Sequence, residues 1–128
     1  MRKSALAAAA AGMLLFGGAH AAAGPWEDGM VAYNRGDYVP AIRLFRPLAE
    51  QGNPRAQTQI GTMYRKGQGI APSLTRAFMW FSVAARRGDA KAKASLRDVS
   101  KKMTPAEMSQ GEAMADACAA SNYRACEY

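Results

Sequence analysis

Apolar residues recur along this chain every three to four positions. Ala41, Leu44, Phe45 and Leu48 form one stripe, and Ala77, Trp80, Phe81 and Ala84 form a second. That spacing keeps side chains on one face of an α-helix, whereas a half-buried strand would alternate with period two, and no useful stretch here does so. Punctuation divides the stripes. Gly36-Asp37, Gly52-Asn53 and Gly88-Asp89 each pair a glycine stop with an N-cap residue, and Pro54 occupies a first helical position. Thr104-Pro105-Ala106-Glu107 has the form of a capping box. The pattern predicts an all-α chain of six helices, at about 25–35, 38–51, 54–66, 73–87, 90–102 and 104–120.

Shifting the chain by 36 residues lays Ala41 on Ala77, Leu44 on Trp80, Phe45 on Phe81, Ala49 on Ala85, Gly52 on Gly88, Ala56 on Ala92 and Ile60 on Leu96. The same offset brings Asn53 onto Asp89. One constant shift aligns small residues, aromatics, glycines and caps together, which predicts antiparallel helix pairs stacked as a short α-solenoid.

Ile60-Gly61 is followed by Tyr64, Gly67-Gln68-Gly69-Ile70, Ser73, Arg76-Ala77, Trp80-Phe81, Ala84-Ala85 and Gly88. At every spacing this resembles the Sel1-like repeat, a relative of the tetratricopeptide repeat. The full motif covers residues 56–92, a degenerate version without the Gly-x-Gly loop covers about 30–56, and residues 90–120 are expected to form terminal capping helices. Ser73 stands where the family usually has Asp, and Arg76 where it usually has Lys; the cap and the cation are both kept. Arg97 takes the place of Gly61 in the third unit, where the family uses a small residue to let helices approach. Elementary packing gives the motif structural roles: Gly61 and Ala77 permit close approach, while Tyr64, Trp80 and Phe81 fill the space between units. Gly67 and Gly69 shape the loop, and Lys66-Gly67-Gln68-Gly69 lacks the Gly-Lys-Ser/Thr needed to hold a phosphate.

Composition narrows the function. Of 128 residues, 49% are hydrophobic and 21% charged, which excludes a disordered chain. Arg2 and Lys3 precede an apolar run from Ala5 to Phe16, too short for a membrane span, and Ala19-His20-Ala21 and Ala21-Ala22-Ala23 are small-x-small cleavage sites. Residues 1–23 therefore read as a signal peptide, residues 24–120 as the solenoid and 121–128 as a C-terminal tail. Export to a periplasmic or secreted location is expected, and no other apolar run reaches spanning length. Cys118 and Cys126, with seven residues between them, read as a disulfide in that oxidising setting, closed through a left-handed turn at Ser121-Asn122. The one histidine, His20, lies in the leader. The remainder has no imidazole, which excludes a Ser–His–Asp or Cys–His nucleophile and a His-ligated metal; no metal and no cofactor is expected.

The net charge is +7, or +5 once Arg2 and Lys3 leave, with 15 cations against 10 acids. Solenoids bind through their concave face. The tetratricopeptide resemblance implies that the first helix of each pair lines it, placing Arg55, Thr58, Thr62 and Arg65 there, then Lys91, Ala94, Asp98 and Lys101, with Glu27, Val31 and Asn34 from the opening helix. Four cations against two acids favour an acidic or C-terminal carboxylate segment of a protein or peptide. Nucleic acid is not expected, because interleaved exposed aromatics are missing; so short a solenoid barely buries its ends, which leaves it free to assemble with itself. The family resemblance implies a non-catalytic adaptor or scaffold in the bacterial cell envelope. Some exported, cysteine-rich relatives carry the alternative, a cell-wall or β-lactam-directed hydrolase or penicillin-binding activity, but Ser-x-x-Lys is missing here.

Overall fold

The computed structural model describes residues 24–126, so the leader with His20 and both cleavage sites, and the last two residues, lie outside it. Among the described residues six helices follow one another: α1 (Pro25–Asn34), α2 (Tyr38–Glu50), α3 (Pro54–Lys66), α4 (Leu74–Arg86), α5 (Ala90–Ser100) and α6 (Pro105–Ala120). No strand occurs among the described residues.

Side chains start most of these helices where the sequence expects. Asn53 Oδ1 accepts the backbone N–H groups of Arg55 and Ala56 at 3.0 and 3.2 Å, and Asp89 Oδ1 does the same for Lys91 and Ala92 at 2.9 and 3.1 Å. Ser73 caps α4 through the Arg76 N–H at 3.1 Å, so the departure from Asp leaves the cap intact. Thr104 Oγ1 accepts from the Glu107 N–H at 3.1 Å and donates to the Glu107 carboxylate at 3.0 Å, closing the box side chain to side chain. Asp37 differs: it occupies the N-cap of α2 without a side-chain cap bond. Its ψ of 69° lies outside the extended region that aims a capping side chain at first-turn amides.

Successive helices pack on one another from α1 to α5, and α6 then returns onto α4. This makes α4 the centre of the fold, where all eight residues from Ala77 to Ala84 are buried, as expected for a helix covered on every side. Trp80, Tyr64, Phe45 and Phe81 are the largest fully buried side chains. In α2 the buried set is Ala41, Ile42, Phe45 and Ala49, while Leu44 and Leu48 are half-buried; the inner face is turned slightly from the predicted stripe. Glycines admit aromatic rings at three helix crossings. A Cβ on Gly29 would lie 2.5 Å from Phe45 Cε1, one on Gly61 would meet Phe81, and one on Gly111 would lie 2.5 Å from Phe78 Cδ1.

The third unit departs from this pattern. Arg97 replaces the small residue, and α5 and α6 scarcely touch; each lies on α4 instead. Beyond α6 the chain reverses through Asn122 and Tyr123, whose φ values of 55° and 66° are left-handed, and Cys118 is bridged to Cys126. The turn at Asn122 was expected; the one at Tyr123 was not. Tyr123 lies over Gly52 in the α2–α3 turn and accepts a hydrogen bond from Arg87 Nη1 at 3.1 Å in the α4–α5 turn. This part of the tail therefore braces two turns of the solenoid.

Candidate functional site

The first helices α1, α3 and α5 together line a pocket of about 390 Å³. Trp26 and Met30 form its α1 wall, Arg55, Thr58 and Gln59 its α3 wall, and Asp89 and Lys91 its α5 wall. The Arg55 guanidinium carbon sits 4.3 Å above the centroid of the Trp26 ring, which tilts onto Phe45 with centroids 5.1 Å apart. A guanidinium stacked on an indole is held in place while its N–H edge stays available, a geometry suited to a carboxylate. Asp89 keeps its negative charge in this lining, but it is not ion-paired with Arg55 or Lys91: its Oδ1 caps α5 and its Oδ2 lies 3.0 Å from Thr58 Oγ1, so two cations stand against one acid.

The residues expected on this face divide into three groups. Arg55, Thr58 and Lys91 come together in the pocket. Thr58 and Thr62 are only 2% and 6% exposed, and this corrects the expectation that they present hydroxyls to a partner. Thr58 Oγ1 also lies 2.8 Å from Pro54 O, so its single hydrogen is shared between that carbonyl and Asp89, and Thr62 Oγ1 donates to Thr58 O at 3.0 Å; both hydroxyls are directed at acceptors within the fold. The remaining residues scatter: Arg65 is half-buried at the far end of α3, Asp98 is exposed outside the pocket, and Lys101 lines a separate cleft. On α1, Glu27, Val31 and Asn34 are exposed and the pocket face belongs to Trp26 and Met30. Neither of these, nor the buried Gln59, was expected at the site. The i, i+4 spacing of Trp26 and Met30 on α1 was the available signal.

The second cleft, of about 950 Å³, lies between α5 and α6 with Phe78 of α4 among its lining residues. No group of three or more His, Cys, Asp or Glu able to hold a metal occurs among the described residues, and no described helix is long and apolar enough to cross a membrane.

Short helices paired across glycine–aromatic contacts, then stacked pair on pair with a groove along the first helices, define a helical repeat protein. Residues 27–53 and 54–89 each match the Sel1 repeat, and the chain is a Sel1-like repeat protein. The first match is shorter for two reasons: it begins inside the shorter α1, and α1 and α2 are joined by a tight turn, whereas α3 and α4 are joined through the Gly67–Ser73 loop. Sel1 repeats are generally non-catalytic modules that point to a protein–protein interaction scaffold.

Proposed function

We propose that this protein is an exported, non-catalytic adaptor of the bacterial cell envelope that holds an acidic segment of a partner protein in the pocket between α1, α3 and α5. The observation that carries this reading is the Arg55 guanidinium over the Trp26 ring, with Lys91 in the same lining, so that two cations outnumber the lining's acid, Asp89. A carboxylate entering there gains a charge-assisted contact to a pre-positioned donor, which is stronger than a neutral hydrogen bond. Export is supported by the Arg2-Lys3 start, the Ala5–Phe16 run and the small-x-small sites, and it is consistent with a disulfide.

The test is calorimetric titration of residues 24–128, which contain every described helix, with acidic peptides ending in a free carboxylate and with their amidated, neutral counterparts. Acidic peptides should bind at least about tenfold more tightly, and Arg55→Glu/Lys91→Glu should remove that preference. Equal affinity for both peptide sets would contradict the reading.

A further inference from the structure

Among the described residues, the cleft between α5 and α6 is the place where the solenoid fails to close. Its walls and floor include Phe78, Leu96 and Met108, and its two sides carry opposite charge. On one side stand Arg97 of α5 and Lys101 at its C-cap, which form no ion pair among the described residues. On α6 stand Glu112 and Asp116; Arg86 Nη2, at 3.0 and 2.9 Å, bridges them and offsets one of their two charges, which leaves this side net acidic. An apolar cleft with a cationic and an acidic wall is electrostatically self-complementary. A two-fold rotation sets the α5 wall of one copy against the α6 wall of another, as an isologous contact requires.

We propose that this end of the molecule is a homodimer interface, in which each copy seats α6 of the other in its α5–α6 cleft. A cleft of about 950 Å³ has room for roughly two turns of helix. The exposed face of α6 includes the small residues Ala106, Ser109 and Ala113, which let a neighbouring helix approach. Seated this way, the partner's Glu112 and Asp116 face Arg97 and Lys101, and Leu96 and Met108 are covered from both sides. With 11 and 16 residues, α5 and α6 present faces about 17 and 24 Å long and about 10 Å wide, so the contact buries on the order of 1,000 Å² in total. That is the lower edge of specific interfaces and fits a concentration-dependent dimer rather than an obligate one. Exposed ion pairs are individually weak; they fix the orientation while apolar burial supplies the attraction.

Sedimentation equilibrium of residues 24–128 tests this, over about 1 to 300 µM, a range suited to a small interface. The wild type should pass from monomer to dimer. Ala113→Arg, which blocks the cleft from an exposed position, should stay monomeric with an unchanged helical circular dichroism spectrum. Arg97→Glu/Lys101→Glu and Glu112→Lys/Asp116→Lys should each weaken self-association at least about tenfold, and mixing the two should restore it as a heterodimer. If Ala113→Arg fails to fold, the charge-reversal pair decides alone. A wild type that stays monomeric throughout would overturn the proposal and leave the cleft to a different protein. Dimerisation unaffected by these changes would also overturn it, by moving the interface elsewhere.

Discussion

Gly61 of α3 lies against the ring of Phe81 of α4: a Cβ at position 61 would sit 2.7 Å from both Cδ1 and Cε1. No such approach is tolerated by real side chains, so the second Sel1 repeat closes only because position 61 has none. Gly29 makes the same room for Phe45 in the first repeat.

Gly61→Ala would favour an isolated α3 by about 1 kcal/mol through helix propensity. In the folded protein it should instead destabilise, by about 1–3 kcal/mol, because the fully buried Phe81 ring has nowhere to retreat. Urea unfolding measures the change, and adding Phe81→Leu should recover part of it.

Trp80 is fully buried at the centre of α4, and its Nε1 has no hydrogen-bond partner. Trp80→Ala should cost about 3–5 kcal/mol as a core truncation. Trp80→Phe loses volume but no hydrogen bond, so its cost should be clearly smaller. A near-neutral Trp80→Ala would mean that the helix is wrongly turned.

The Cys118–Cys126 bridge closes a short loop that holds Tyr123 against Gly52 and Arg87. Chain-entropy reasoning gives about 2–3 kcal/mol for a loop of this size. Unfolding midpoints compared with and without reductant, and for Cys118→Ala/Cys126→Ala, should differ accordingly; identical midpoints would remove the brace from the account.

Thr58 should prove structural. Thr58→Val keeps the shape but loses the contact with Asp89 Oδ2, so it should lower stability by about 1 kcal/mol while leaving peptide affinity nearly unchanged. A large loss of affinity at unchanged stability would return Thr58 to the binding surface.

The helices were legible in the sequence because their ends are chemical. Gly52 and Gly88 take φ values of 88° and 92°, Asn53, Asp89, Ser73 and Thr104 supply cap oxygens, and a 36-residue shift aligns most of these signals. The Sel1 resemblance followed from the same residues. The concave face was legible only in part. On α1 the expected Glu27 and Val31 stand one residue after Trp26 and Met30, and one residue is about 100° of rotation, enough to exchange solvent for groove. Thr58 and Thr62 look like exposed polar positions until their hydroxyls are seen bonded to carbonyls one turn back. Arg97 stood out as a departure from the repeat, but that α5 and α6 would separate around it depends on where α4 lies, which no local pattern encodes.

The central claim, that the partner is held in the pocket of α1, α3 and α5, is tested most directly by site-specific photo-crosslinking. A photoreactive residue replacing Met30 in the pocket is compared with one replacing Arg43 on the exposed face of α2. The account predicts a discrete adduct from position 30 that free acidic peptide competes away and that Arg55→Glu/Lys91→Glu abolishes, with none from position 43. Adducts from position 43 alone, or adducts at position 30 indifferent to both competitor and charge reversal, would contradict it.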